Sequence, residues 1–336
     1  MRVLLVGLGR WGEKHLRVLR SLGATVWVAD TSPARREWAL SHGIEPGRVV
    51  SDYRDVLLEV DAVDIVTPPD SHLALASACL DAGRDCFIEK PVTLTSAEAR
   101  ALSARVDGSG RVVQVGHVFR FHPVTACVQE ALAHGRIGAV RYITGRFAGF
   151  KRPRADVGVT QTDGIHYFDL FAHLLGREPT GVTATLRDYL GRGLDDVSFA
   201  TVDHGDIPAF VEVGYFAPGT SRECVLLGER GSLIADFIES TVTLISGAHV
   251  RRADGWDAVE TGKEALEVGG GEPLARELAA FLAAVRQRGP SPVDVAAGLR
   301  ALETVEAAEL SSRLGRRVSL DELRQGPPGA AGGVSV

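Results

Sequence analysis

Cysteine is scarce and scattered. The four in 336 residues, Cys79, Cys86, Cys127 and Cys224, form no C-x-x-C pair. That argues against a disulfide framework or a cysteine metal centre, and the four read as small buried hydrophobes. Positive charge is short as well. There are 37 Lys and Arg against 43 Asp and Glu, a net charge of −6, and nothing in that balance attracts a polyphosphate backbone, so no nucleic-acid partner is expected. The opening MRVLLVGLG reaches glycine within seven residues, too soon for a signal peptide or a membrane span. A soluble, cytoplasmic protein is the expectation. No internal repeat is present.

Short apolar runs are plentiful, and their order carries the fold. Val3 to Val6, Thr25 to Ala29, Ala62 to Val66, Asp85 to Ile88 and Val112 to Val115 alternate with helical patterns, as a parallel sheet with helices on both faces requires. After about residue 120, strands follow one another with mostly short connections: Ala139 to Phe147, Val182 to Leu186, Val197 to Val202, Ala209 to Phe216, Glu223 to Leu227 and Leu233 to Phe237. These predict a largely antiparallel open sheet. Leu274, Leu278, Phe281, Leu282 and Val285, then Leu299, Leu302, Val305 and Ala308, mark two closing amphipathic helices. The expected class is α/β: a doubly wound parallel-sheet domain over 1–121, then an α+β domain over 122–324 with closing helices at 273–314. The glycine- and proline-rich stretch 325–336 is expected to be a disordered tail.

VLLVGLGRWG spaces Gly7, Gly9 and Gly12 as G-x-G-x-x-G, after a strand and before a helix. The glycines permit a tight turn and close backbone approach, and the first N–H groups of the helix, at Arg10 and Trp11, face a pyrophosphate. The second strand ends in Asp30, 23 residues after Gly7, where a carboxylate accepts hydrogen bonds from an adenosine ribose. The same charge repels a 2′-phosphate, so NAD is expected over NADP. Arg35 and Arg36 fall in a helix that Ser32 caps and Pro33 opens, and read as a solvated face rather than a phosphate clamp. DAVDIVTPPDSH ends a strand in Thr67-Pro68-Pro69, a turn at the carboxyl edge of the sheet, where open α/β sheets bind ligands. His72 either touches the cofactor or opens the next helix without a chemical role.

FIEKPVT, residues 87–93, brings Glu89 and Lys90 to that edge at the end of a buried strand. A charge there costs desolvation unless Glu89 or a ligand compensates it, and taken alone the pair reads as an exposed turn. Together, G-x-G-x-x-G, Asp30, TPP-x-x-H and EKP resemble the Gfo/Idh/MocA oxidoreductase family. GHVFRFHPV at 116–124, which contains Arg120, is similar to that family's passage from its Rossmann domain to its substrate domain. LLGERGSL at 226–233 resembles a turn in its open sheet, and the closing helices match in pattern. The resemblance spans nearly the whole chain apart from the tail. It implies NAD bound by a Rossmann domain, Lys90 beside the reacting substrate carbon, and Glu89 near the nicotinamide ribose.

In DVGVTQTDGIHYFDLFAHLLG, residues 156–176, Asp163, His166, Asp169 and His173 fall at helical spacings of three and four. Ligands on one helix rarely surround an ion, and no second cluster completes the set, so no metal is expected. The resemblance makes His166 the acid/base. Imidazole titrates near neutrality and takes the hydroxyl proton, while cationic Lys90 polarises the developing carbonyl. Many relatives carry an aspartate four residues before the histidine. Here that position is Thr162, and either Asp163 orients His166 from a shifted register or the second acid is absent. Asp169 and His173 read as structural groups.

Lys151, Arg152 and Arg154 precede that helix. Arginine forks suit phosphate oxygens, and the stretch resembles the sugar-nucleotide branch of the family; a solvated basic loop is the other reading. The expected activity is an NAD-dependent dehydrogenase acting on a secondary alcohol of a sugar or sugar nucleotide. A cyclitol dehydrogenase of the inositol type and a non-catalytic dinucleotide-sensing regulator are the alternatives. The resemblance also implies a homo-oligomer, dimer or tetramer.

Overall fold

The computed structural model describes residues 1–325; Gln325 ends a helix, and the rest of the expected tail lies outside the described residues. The chain divides into two compact units, Met1–Phe121 with Gly271–Leu299, and His122–Gly270 with Arg300 onward.

In the first unit, β1 (Arg2–Val6), α1 (Arg10–Ser21), β2 (Thr25–Ala29), α2 (Pro33–Ser41), β3 (Val49–Val50), β4 (Ala62–Ile65), α3 (His72–Asp81), β5 (Asp85–Glu89), α4 (Ser96–Ser109) and β6 (Val113–Gly116) alternate along the chain. The six strands form one parallel sheet in the order β3-β2-β1-β4-β5-β6. Helices cover both faces of such a sheet, which is why β1 reads as an apolar run after Arg2, β4 as one interrupted only by Asp64, and β5 as one bounded by Asp85 and Glu89. Capping is local and explicit at α4: the Thr95 hydroxyl accepts from Glu98 N–H, and Glu98 reaches back to Thr95 N–H.

The second unit contains α5 (Pro123–Ala133), β7 (Val140–Gly149), α6 (Ile165–Leu175), β8 (Gly181–Arg187), β9 (Val197–His204), β10 (Ile207–Gly214), β11 (Thr220–Gly228), β12 (Gly231–Asp236), β13 (Thr241–Arg252) and β14 (Gly255–Leu266). With the short β15 (Val318–Ser319), its strands form a nine-stranded sheet in the order β14-β13-β12-β11-β7-β10-β9-β8-β15, antiparallel except for the β7–β10 pair. Ile143, Gly145 and Phe147 of β7 turn toward α6, where a Cβ on Gly145 would lie 2.6 Å from the Phe171 ring; glycine there lets the helix settle on the sheet. The alternate positions face the other way, and that face exposes Tyr142, Phe199 and Phe210.

The closing helices depart from the expectation that both belong to the second domain. The first, α7 (Pro273–Gln287), packs into the first unit. Its stripe of Leu274, Leu278, Phe281 and Leu282 shares one buried cluster with Leu5, Leu16, Leu19 and Phe87. Phe281 meets Phe87 edge-on at 5.8 Å, and Gln114 Nε2 donates to the Glu277 carbonyl at 3.2 Å. An amphipathic pattern announces that a face is buried without naming its partner. The next helix, α8 (Val295–Leu314), is divided between the units, and α9 (Leu320–Gln325) follows β15. Among the described residues no helix is long and apolar enough to cross a membrane.

Candidate functional site

The first unit turns sharply where β1 ends. Gly7 has φ +94, in the region that favours glycine, and a Cβ on it would sit 2.7 Å from the Val66 carbonyl oxygen. A Cβ on Gly12 would lie 2.2 Å from Gly7 O, so α1 starts pressed against the turn. Gly9 is different: a Cβ there would meet nothing within 4 Å. It is the N-cap of α1, and no side chain caps that helix. The N-terminus therefore offers backbone N–H groups and half a positive charge beside open space, the arrangement that a pyrophosphate fits. Arg10 and Trp11 stand exposed on this first turn. A dinucleotide is compatible with the residues present.

Asp30 lies at the carboxyl end of β2. Its Oδ2 accepts from Leu8 N–H at 2.7 Å and its Oδ1 from Ser32 N–H at 2.8 Å, so it ties the glycine turn to the start of α2. An ionised carboxylate has about four acceptor sites, which leaves capacity for a ribose. Ser32 occupies the N-cap of α2 and Pro33 its first turn, but the Ser32 side chain makes no cap hydrogen bond. Arg35 and Arg36 are not a solvated face. Arg35 Nε donates to the Leu8 carbonyl and its fork pairs with Glu13. Arg36 Nη1 donates to the carbonyls of Asp30 at 2.8 Å and Thr31 at 2.9 Å. Guanidinium forks satisfy carbonyls that the turns leave without strand or helix partners.

The next sheet-edge turn holds half-buried Thr67 and exposed Pro68, with Thr67 Oγ1 and Ser71 Oγ 2.7 Å apart. His72, the first residue of α3, is buried with one ring nitrogen 2.9 Å from the Thr67 carbonyl and the other 3.0 Å from that of Pro91. It opens the helix and also laces this turn to the one carrying Lys90. Burial holds its pKa low against those two carbonyls.

Glu89 ends β5 and is buried; Lys90, half-buried, follows it. The Glu89 carboxylate points inward: Oε1 accepts from Trp11 Nε1–H at 2.8 Å and lies 3.2 Å from His15 Nε2, and Oε2 accepts from Lys90 N–H at 3.1 Å. A Cβ on Gly116 of β6 would collide with it at 2.9 Å. On the far side of the imidazole, His15 Nδ1 is 2.9 Å from Asp64 Oδ2, and both side chains have no exposed surface. Burial lowers the His15 pKa, but Asp64 and Glu89 outweigh it and raise it to about 10. Burial raises Asp64 against the pull of His15, and Glu89 is held low by His15, Trp11 and Lys90 in spite of burial. Sequence reading missed His15 and Asp64. The cue was in DAVDIV: a carboxylate in the middle of an apolar strand needs a buried partner.

Arg120 is half-buried in the turn Val118–Phe121, with its N–H donating to the His117 carbonyl at 3.0 Å.

In the second unit, a π-helical turn, Thr160–Gly164, leads into α6. Asp195 pins it, with Oδ2 accepting from Thr160 N–H at 2.9 Å and from Thr160 Oγ1 at 2.6 Å. One turn on, the Tyr167 hydroxyl sits between the carbonyls of Arg146 at 2.9 Å and Glu223 at 2.7 Å and fixes α6 to β7 and β11. His166 is buried, its ring stacked on Phe147 at 5.8 Å with 22° between planes. Asp163 is also buried, but Lys151 Nζ takes its carboxylate at 2.5 Å. The same ammonium lies 4.4 Å from the Phe147 ring centre. Tyr215 is pushed up to about 12 by burial and by the Asp163 charge. Arg154 forks onto Asp156, Nε to Oδ1 at 2.8 Å, while Arg152 is exposed. Asp169 is buried, and His173 meets Gln129 of α5 at 2.9 Å. Among the described residues no three His, Cys, Asp or Glu side chains are grouped to hold a metal ion.

Both halves of the chain resemble known proteins. Residues 1–117 match the NAD-binding Rossmann fold of the Gfo/Idh/MocA oxidoreductase family, and residues 129–320 match its C-terminal alpha/beta domain. The UDP-N-acetylglucosamine 3-dehydrogenase of Acidithiobacillus ferrooxidans is 29% identical over 305 residues, 90% of this chain and 94% of that one. Its crystallised form has a TM-score of 0.81 at 27% identity, covering 94% and 98% of the two chains. The scyllo-inositol 2-dehydrogenase (NAD(+)) of Bacillus subtilis is 30% identical over an alignment of 348 residues, 96% of this chain and 97% of that one. With its amino-terminal and carboxyl-terminal parts both matched, the chain belongs to the Gfo/Idh/MocA oxidoreductase family.

Proposed function

We propose that the protein is an NAD-dependent dehydrogenase that interconverts a secondary alcohol and a ketone on a sugar or sugar nucleotide. The observation that carries this reading lies within the first unit. Lys90 follows β5 at the carboxyl edge of the parallel sheet, the edge at which the glycine turn leaves β1, one strand removed across β4. Ligands bind at that edge in open α/β sheets. When bound, NAD accepts a hydride from the carbinol carbon at nicotinamide C4. Gly9 and the first turn of α1 would hold the pyrophosphate and Asp30 the adenosine ribose, with Thr67, Pro68 and His72 shaping the neighbouring edge. The Lys90 ammonium would hold the substrate oxygen as its negative charge develops, and His166 would take the hydroxyl proton. Asp163 is bound to Lys151, so its contribution would be to hold that cation beside the Phe147 and Tyr215 rings rather than to orient His166.

One observation favours a cyclitol or unphosphorylated sugar as substrate. Two of the three cations on 151–154 are already neutralised, Lys151 by Asp163 and Arg154 by Asp156, which leaves Arg152 as the exposed candidate for a diphosphate. The deciding assay is NADH formation with UDP-N-acetylglucosamine, myo- and scyllo-inositol and free sugars, run on the wild type and on Arg152→Ala/Arg154→Ala. A nucleotide-sugar enzyme loses substrate affinity in the double variant and an inositol enzyme does not. Tight NAD binding without turnover on any of them would leave the regulator reading. Lys90→Ala is expected to lower turnover about 100-fold or more while NAD affinity stays within a few-fold.

The exposed sheet face supports a homo-oligomer. Tyr142 and Phe210 meet edge-on at 6.1 Å beside Phe199, and a shallow cavity of about 540 Å³ lies among Thr144, Arg146, Glu212 and Glu223. Phe210→Asp should convert the oligomer to monomer in sedimentation velocity.

A further inference from the structure

The cluster under the Glu89–Lys90 turn has a charge pattern that packing alone does not require. Asp64 sits on the central strand β4 and Glu89 at the end of β5. His15, from the inward stripe of α1, stands between them with Nδ1 at 2.9 Å from one carboxylate and Nε2 at 3.2 Å from the other. A neutral imidazole has one N–H and one lone pair. With both acids ionised, whichever tautomer it adopted, a lone pair would face a carboxylate oxygen in a dry interior. Only the imidazolium, with both nitrogens protonated, suits both neighbours, and Asp64 Oδ1, buried without a hydrogen-bond partner, leaves that cation as the sole compensation among the described residues for the Asp64 charge. The remaining walls are rings: Trp11 at 5.8 Å and Phe87 at 5.7 Å, both edge-on to the imidazole. The Nε2 contact is an ion pair off the line of a good hydrogen bond, whereas the Trp11 indole donates squarely to the same Glu89 oxygen at 2.8 Å. Glu89 is therefore drawn into the unit by a cation and an indole, and its other oxygen holds the Lys90 backbone N–H.

We propose that His15 and Asp64 are positioning residues: a buried Asp64–His15 imidazolium couple anchors the Glu89 carboxylate inside the first unit and thereby fixes the backbone from which Lys90 acts. Neither residue touches substrate. The Glu89 side chain is a keel for the lysine, committed to Trp11, His15 and the Lys90 N–H. The inference rests on the reading of Lys90 as the group that engages the substrate oxygen, and its tests are chosen to separate the two.

The first test needs no turnover. Nitrogen-15 NMR of the full-length protein at about pH 8, where an ordinary histidine is neutral, is expected to show His15, assigned by its loss in His15→Gln, protonated on both nitrogens; a neutral His15 overturns the couple. The second is a double-mutant cycle between His15→Gln and Lys90→Ala. His15→Gln should lower kcat about 10- to 100-fold with KM for NAD within about threefold, and should cost nothing further once Lys90 is alanine. An equal fractional loss in both backgrounds means that His15 acts on stability or elsewhere and overturns the proposal. If His15→Gln does not fold, the near-isosteric Asp64→Asn enters the same cycle with the same two outcomes. Full turnover of Lys90→Ala would instead remove the catalytic reading of Lys90, and the NMR result would still decide whether the buried cation exists.

Discussion

The glycine turn pairs an open glycine, Gly9, with a packed one, Gly12, and two alanine substitutions test whether the open one faces the proposed pyrophosphate. Gly9 has φ −73 and ψ −173, which alanine adopts without strain, and its added methyl would meet no protein atom within 4 Å. Gly9→Ala should leave the fold intact or stabilise it by about 0.4 to 1 kcal/mol, because it narrows the unfolded ensemble. The same methyl would occupy the space in front of the α1 N–H groups. Pushing a pyrophosphate away from them by even part of an ångström weakens several charge-assisted hydrogen bonds at once, so NAD should bind at least about tenfold more weakly, about 1.4 kcal/mol. Gly12→Ala behaves in the opposite way. Its Cβ would approach the Gly7 carbonyl oxygen at 2.2 Å, a contact that only backbone movement relieves, and a destabilisation of about 1 to 3 kcal/mol is expected. Scanning calorimetry for the melting temperature and titration calorimetry for NAD, on the same preparations, measure both quantities. A folded Gly9→Ala that binds NAD within about twofold of wild type would refute the placement of the pyrophosphate at this turn.

The charge states make further predictions. His15 has its folded pKa raised from 6.5 to about 10, so its contribution is whole below pH 6.5 and is lost as pH rises through about 10. At about 1.4 kcal/mol per tenfold the ceiling is about 5 kcal/mol; urea unfolding between pH 7 and 10 should show an alkaline decline that His15→Gln lacks, and parallel curves would contradict it. Glu309 is pushed up from 4.5 to about 7, by burial and then by Asp195. Its ionisation costs stability as pH rises through about 7, so Glu309→Gln should melt higher than wild type at pH 8 and alike at pH 4; equal melting at both would dismiss the shift. Asp30→Ala should weaken NAD, relax discrimination against NADP, and lower the melting temperature, since it also unties Leu8 and Ser32 N–H groups. A wild-type preference for NADP would show that the Asp30 carboxylate does not set cofactor choice.

The first unit was readable because its physics is local. Buried parallel strands appear as short apolar runs, and the expected starts and ends of β1, β2, β4, β5 and β6 differ from the structure by one residue at most. The turn that follows β1 is written in glycine. The outer hairpin was not readable: β13 and β14 run to 12 residues each, but β14 is exposed almost throughout, so no alternation of apolar and polar positions marks it. The parallel pairing of β7 with β10 was equally hidden, since it joins strands that are not neighbours in sequence. Of the proposed site residues, Gly9, Asp30 and Lys90 in the first unit and His166 in the second stood in recognisable spacings. The groups that hold them in place did not. His15 finds Asp64 49 residues away, and Thr160 finds Asp195 35 away. Lys151, read either as a phosphate contact or as part of a solvated basic loop, meets Asp163, because a carboxylate on a buried turn takes the nearest ammonium.

The assignment of α7 to the first unit has a temporal consequence. A ribosome delivers the six parallel strands long before Leu274, Leu278, Phe281 and Leu282, which cover one side of them. Until those residues emerge, the nascent nucleotide-binding half exposes a greasy wall to the cell, and a gene fragment ending near residue 121 would produce that wall permanently. Chaperone dependence during synthesis, and insolubility of such a fragment unless residues 271–299 are supplied in trans, follow from where one helix docks.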